Sequence, residues 1–160
     1  MGIDEVPEAD KSLTIVHFAF LGLTADFNVN IPESVKDQFE QFEKEKFPFK
    51  KVVSFGGWAE STEPGTFQRY KDAVKPENRN KFANNVLTFL NSHSLDGVDF
   101  DWEYPGAPDI PGVPNGGEQE AQNYLRFLTV MKGLVNGKKS LSVSVTNGGP
   151  KYIKNLANSK

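Results

Sequence analysis

The stretch Leu95-Asp96-Gly97-Val98-Asp99-Phe100-Asp101-Trp102-Glu103-Tyr104-Pro105 holds the residues best suited to chemistry. Read with the period of a strand, Asp99, Asp101 and Glu103 share one face, and Val98, Phe100 and Trp102 share the other. Same-side neighbours then lie ~6.6 Å apart, at ~3.3 Å per residue. Carboxylates this close resist joint ionisation and titrate as a coupled set, so the row keeps a proton near neutrality. Glu103, the last residue before the Tyr104-Pro105 break, is the most useful place for that proton, because a protonated carboxyl at a solvent-facing strand end can act as a general acid. On spacing alone two other readings stay open. The oxygens could hold a hard cation such as Mg²⁺ or Ca²⁺, or the acids could be salt-bridged residues of the core.

The elements that must position this row follow from hydrophobic periodicity. Leu13 to Phe20 is short, β-branched and aromatic, and reads as a buried strand. His17 lies within it; a lone histidine on an apolar strand is more often a hydrogen-bonded core residue than a ligand. After a turn around Asp26 to Asn30, Pro32 opens a helix with Val35, Phe39 and Phe42 on its buried side, and Pro48 ends it. Lys51 to Trp58 is predicted as the next strand, with Ser54, Gly56 and Trp58 on one face and Val53 and Phe55 on the other. Paired glycines, Gly56 and Gly57, remove side chains where a ligand or another group must come close.

Between Glu60 and Val74 the pattern gives a loop with a short helix, and Pro76 opens a longer helix with Phe82, Val86, Phe89 and Leu90 as its stripe. Ser92, His93 and Ser94 end it, and His93 reads as a cation near a helix C-terminus. Beyond Glu103, Pro105, Pro108, Pro111 and Pro114 recur at every third position and suggest a stiff, polyproline-like rim to a cleft. A helix from about Glu118 to Val135 follows, with Tyr124, Leu125, Leu128 and Leu134 on its apolar side and Gly137 past its end. Leu141 to Thr146 alternates as a last strand, turned by Asn147-Gly148-Gly149-Pro150. The alternation of strands and helices signals α/β architecture with parallel strands and right-handed crossovers.

Composition narrows the classes of function. At 160 residues the chain can bury one sizeable core. With 38% hydrophobic and 24% charged residues it reads as an ordinary soluble globular protein. A net charge of −3 gives no electrostatic reason to expect nucleic acid or an anionic membrane as partner. The absence of cysteine excludes disulfides and thiolate metal sites. The N-terminal run Met1 to Pro7 is acidic and has no apolar segment, so it reads as neither a signal peptide nor a membrane span, and taken literally the chain stays in the cytosol.

The residues from Asp96 to Glu103 resemble the D-x-x-D-x-D-x-E signature of glycoside hydrolase family 18, the chitinases, and Ser54-Phe55-Gly56-Gly57-Trp58 resembles the same family's S-x-G-G motif. From Ser54 to Pro111 the chain is most similar to fungal class V chitinases and the chitinase-like subunits of yeast killer toxins, which share Gly57-Trp58-Ala59, Glu63-Pro64-Gly65-Thr66 and Asp72-Ala73-Val74-Lys75-Pro76. The resemblance implies a (β/α)₈ TIM barrel, of which residues 1–160 supply a partial catalytic domain, strands two to five. A closed barrel typically takes about 250 residues. A part of one leaves unpaired edges and an uncovered interior, so the chain is expected to self-associate through open edges, to fold poorly, or to be a piece of something longer.

The resemblance further implies hydrolysis of β-1,4-linked N-acetylglucosamine, as chitin or its oligosaccharides, with retention and by the substrate-assisted route. It assigns Glu103 as the acid and then the base. Asp101 orients the substrate's acetamido group, and Asp99, hydrogen-bonded to Ser54, shares a proton with Asp101. Trp58, with Gly57 and Tyr104, contacts sugar, while Gly56 supports the site and Asp96 is structural at the strand start. No metal or organic cofactor is needed. The family is mainly secreted, which conflicts with the literal reading of the N-terminus. An inactive chitin-binding remnant of such a barrel is the alternative. The family's subgroup usually has an Ala/Pro-rich stretch where this chain has Thr146 to Pro150, and the residues that other strands contribute to the acetamido grip are absent here.

Overall fold

In a computed structural model, which describes residues 13–145, the first β-branched run forms strand β1 (Ile15–Leu23). A two-residue strand, β2 (Val29–Asn30), folds back antiparallel on its end, pairing Gly22 with Asn30 and Leu23 with Val29. Pro32 leads into a single 3₁₀ turn, Glu33–Val35, and then helix α1 (Lys36–Lys44), which buries Phe39 and Phe42. The helix stops at Lys44 rather than at Pro48, because Glu45 already takes an extended conformation with ψ 137°.

Strand β3 (Lys50–Gly56) is followed at once by helices α2 (Gly57–Thr62) and α3 (Phe67–Ala73). The predicted strand therefore ends two residues early, and Trp58 sits on the first turn of α2 rather than on the sheet face of Ser54 and Gly56. Backbone geometry is the reason: Gly56 has φ +108° and ψ −117°, and Gly57 has φ +77°, which turns the chain out of the sheet. Helix α4 (Arg79–Ser92) starts three residues after Pro76 and buries Phe82, Ala83, Val86 and Leu90. Strand β4 (Gly97–Asp101) and helix α5 (Gly117–Val135) come next, and β5 (Ser140–Val143) is the last described element.

The strands lie in the order β2-β1-β3-β4-β5, with β1, β3, β4 and β5 mutually parallel. Among the described residues β5 pairs only with β4, so its far edge stays open there. The core fills one side of this sheet. Phe100 of β4 stacks on Phe55 of β3 at 5.7 Å and meets Phe127 of α5 edge-on at 5.0 Å, while Phe82 of α4 stacks on Phe127 at 4.6 Å. On α5 the buried line is Ala121, Tyr124, Phe127, Met131 and Val135; Leu128 and Leu134 are partly buried against it, and Leu125 is only half-buried. No helix of the described residues is long and apolar enough to cross a membrane.

The proline-rich segment after Glu103 is not an extended rim. It folds into turns, with Gly106 at φ +73° and Gly112 at φ +79° bending the chain. The N-terminal run Met1 to Pro7 and the predicted turn from Thr146 to Pro150 lie outside the described residues.

Candidate active site

The parity of β4 sets the site. Val98, Phe100 and Trp102 are buried on the helix side, where Trp102 packs on Tyr124 at 5.2 Å and on Tyr70 at 5.7 Å. On the opposite face the parallel register sets Ala19, Ser54, Asp99 and Ser142 in one row across β1, β3, β4 and β5. Asp99 is only 5% exposed. A buried carboxylate needs hydrogen-bond donors, and three hydroxyls supply them. Ser54 donates to Oδ2 at 3.1 Å, Ser144 donates to Oδ2 at 3.0 Å, and Ser142 donates to Oδ1 at 2.7 Å. Ser142 on β5 and Ser144 just past its end alternate beside the acid row, a period-two signal that marks them as partners once β5 is placed next to β4.

Asp101 is half-buried at the C-terminal end of β4, paired with Gly56. Burial pushes its carboxyl above the ordinary carboxylate range, and the charges of Glu103 and Asp99 push it further. Glu103 lies just past the strand rather than on it, joined to Tyr104 by a cis peptide. Its position is held by its backbone N–H, which donates to the buried Ser61 Oγ of α2 at 3.0 Å. Nothing in the local sequence points to Ser61, because the contact spans 42 residues.

Asp96 caps the other end of the strand pair. Its Oδ2 accepts from the Lys51 N–H at 2.8 Å while its own N–H donates to the Lys51 carbonyl at 2.8 Å, away from the other acids. Gly56 is a close-approach position, since a Cβ there would lie 2.1 Å from the Asp101 carbonyl oxygen. A Cβ on Gly57 would likewise lie 3.0 Å from the Phe20 ring. Trp58 is 55% exposed and, with Gly56, Gly57, Phe20 and Glu60, lines a cavity of about 320 Å³. Asp99, Asp101 and Glu103 do not line that cavity; Gly56 is what joins it to the acid row. Tyr104 is half-buried, and its carbonyl accepts from the Ala107 N–H at 3.1 Å.

The loop that follows Glu103 is tied down at both ends by one buried ion pair. Lys71 of α3 and Glu120 of α5 meet at 2.8 Å. The second carboxylate oxygen of Glu120 accepts from the Gly106 N–H at 2.6 Å, and Lys71 Nζ donates to the Pro114 carbonyl. Beneath the site the Tyr70 hydroxyl is fully buried and has no hydrogen-bond partner among the described residues. Burial pushes its phenol well above the usual range, and Tyr124, Glu60, Asp101 and Asp99 add to the effect.

His17 is exposed on the open face of β1 rather than in the core, with Nδ1 3.2 Å from Ser54 Oγ. His93 stands at the C-terminal cap of α4, 3.0 Å from Glu43. Among the described residues the ion pairs are Glu40–Lys44, Lys71–Glu120, Asp72–Lys75 and Glu43–His93, so no Lys, Arg or His there forms an ion pair with the acid row. Nor do three His, Cys, Asp or Glu side chains gather there closely enough to hold a metal ion.

Comparison with known proteins gives this geometry a context. The model of the glycosyl hydrolases family 18 matches residues 4–159. The chain is 55% identical over 147 residues to the probable chitinase LysM11 of Penicillium expansum, covering 91% of this chain and 13% of that protein. It is 42% identical over 143 residues to the killer toxin subunits alpha/beta of Kluyveromyces lactis, covering 89% of this chain and 12% of that protein. Among solved structures it superposes on the chitinase domain of the spore coat protein CotE from Clostridium difficile with a TM-score of 0.71 and 31% identity, covering 91% of this chain and 39% of that one. The chain thus spans about an eighth of the length of these curated relatives, and its sheet and helices have the fold of a partial (β/α)₈ barrel.

Proposed function

Because the chain belongs to family 18 of the glycosyl hydrolases, we propose that residues 1–160 form strands two to five of a catalytic barrel that cuts β-1,4-linked N-acetylglucosamine in chitin or its oligosaccharides. The reading is supported chiefly by one observation: Asp99 and Asp101 alternate along β4 with Glu103 just past its end, and burial together with the charges of Glu103 and Asp99 raises the pKa of the Asp101 carboxyl.

In this reading Glu103 gives its proton to the glycosidic oxygen as the bond to the anomeric carbon breaks. The substrate's own acetamido carbonyl oxygen attacks that carbon and closes an oxazolinium ion, as in the substrate-assisted exception to the two-carboxylate scheme. Asp101 orients the acetamido group by accepting a hydrogen bond from its N–H, which stays on the nitrogen throughout, and Asp99 shares a proton with Asp101 to adjust its charge. Water then opens the ring, losing a proton to Glu103 and restoring the acid. Trp58, beside Gly57, offers its exposed indole to a sugar face, and Tyr104 flanks the acid. The same reading places the protein outside the cell, where the family mainly works.

Turnover of a fluorogenic chitobioside tests it. Glu103→Gln is expected to abolish release while the unfolding transition stays where it was. Unchanged turnover in that variant removes Glu103 as the acid. Chitin binding without turnover in the unaltered chain assigns it instead as a binding remnant, and loss of turnover on adding EDTA transfers the acid row to metal chemistry.

A further inference from the structure

His17 is exposed on the open face of the sheet, yet it reaches a buried network. Its Nδ1 lies 3.2 Å from Ser54 Oγ, and Ser54 Oγ lies 3.1 Å from Asp99 Oδ2, with the serine as donor. A serine hydroxyl has a single hydrogen. With that hydrogen directed at Asp99, the oxygen can only accept from the imidazole, which requires the ring proton on Nδ1.

We propose that His17 is a positioning residue for Asp99: its Nδ1–H donates to Ser54 Oγ and so fixes the Ser54 hydroxyl on the Asp99 carboxylate. The hydrogen bonds then run in one direction across three adjacent strands, from β1 through β3 to β4. Ser54 is the donor that needs such control. A bare Nδ1 would be a competing acceptor for the Ser54 hydrogen, and a hydroxyl turned toward the ring would leave Asp99 with Ser142 and Ser144 as its donors. The neighbours of His17 across the register leave the choice to the imidazole itself, since its partner on β3 is the apolar Val52. One consequence rests on the proposed hydrolysis, namely that a proton shared between Asp99 and Asp101 matters to turnover; the direction of the hydrogen bonds does not.

The test is read by NMR on the full chain labelled with ¹⁵N and ¹³C, without substrate. With the ring in its neutral form, long-range proton–nitrogen correlations should show His17 protonated on Nδ1 and bare on Nε2. Ser54→Ala should return it to the Nε2–H form that free imidazole favours. An Nε2–H ring in the unaltered protein overturns the proposal, as does an Nδ1–H ring indifferent to Ser54→Ala. A second pair of variants avoids the buried serine. His17→Leu should displace the Asp99 carboxyl ¹³C resonance, and His17→Asn, whose amide nitrogen can occupy the place of Nδ1, should restore it. An Asp99 resonance unmoved by His17→Leu also overturns the positioning role. None of these readouts involves turnover, so they stand or fall separately from the Glu103→Gln test.

Discussion

Gly56 and Asp101 are register partners at the ends of β3 and β4, and no side chain fits between them, because a Cβ on Gly56 would lie 2.1 Å from the Asp101 carbonyl oxygen. Gly56→Ala would also force a non-glycine residue to φ +108°. Strain of about 1–3 kcal/mol and overpacking of about 1–3 kcal/mol add to a loss of roughly 2–6 kcal/mol, measured as a lowered urea midpoint. Gly133→Ala is the matching control. It sits exposed in the interior of α5 with open space around its Cβ position, so it should gain about 0.5–1 kcal/mol.

Tyr70→Phe should leave the protein as stable or make it more so, by about 1–3 kcal/mol, because it removes a buried hydroxyl that has no partner among the described residues. The same side chain predicts an alkaline dependence. In the folded state the phenols of Tyr70 and Tyr124 are raised by burial, so above the ordinary phenol value near 10 the unfolded chain loses their protons while the folded one keeps them. Stability must then fall as pH rises, by up to ~1.4 kcal/mol per pH unit for each phenol. Denaturant titrations between about pH 9 and 11 should show that slope, and Tyr70→Phe should reduce it.

Asp101 carries the opposite sign from most folded carboxylates. Its folded pKa is raised, so between the unfolded and folded values the native state binds more protons, and stability is lost as pH rises through that window. Asp101→Asn removes the penalty that remains at neutral pH. Its unfolding temperature should rise at pH 7, by no more than about 1 kcal/mol in free energy given the solvent screening of a half-exposed group, and should match the unaltered protein near pH 3. A variant that is less stable at pH 7 would mean that the carboxylate is held by favourable contacts instead.

Glu120→Ala leaves the Lys71 ammonium buried without its partner and the Gly106 N–H without its acceptor. Breaking a buried pair on one side costs about 3–5 kcal/mol. Limited proteolysis should then cut between Gly106 and Pro114, the segment whose two ends the pair holds. Replacing both residues by apolar ones, Lys71→Met with Glu120→Leu, should recover much of the stability but not the protection of the loop.

The faces of β4 were legible from its regular period, whereas the run Leu13 to Phe20, read as a buried strand, buries only Phe18, with Ile15, His17, Ala19 and Phe20 exposed. Val98 and Phe100 are buried and Asp99 turns away from them, as alternation requires, and Phe39, Phe42, Phe82, Val86 and Leu90 take the core positions that helical spacing predicts. Alternation stopped being a guide at strand ends. Gly56 and Gly57 turn the backbone before Trp58, and the strand stops at Asp101, so neither Trp58 nor Glu103 sits where an unbroken strand would carry it. Proline spacing misled in the loop beyond Glu103, because Gly106 and Gly112 bend the chain into turns. The hydroxyl of Ser61 and the pair Lys71–Glu120 were invisible to local pattern, since each acts across more than 40 residues of chain.

The serines that surround Asp99 also discipline how the sheet can be put together. If β5 were threaded one position along β4, Leu141 or Val143 would arrive where Ser142 now stands, and an inward acid would face hydrocarbon. The penalty for that mistake is immediate and local, whereas the greasy side of the sheet would tolerate many near misses. A single buried carboxyl thus works as a proofreading mark for three strands, rejecting misaligned assemblies as the sheet forms.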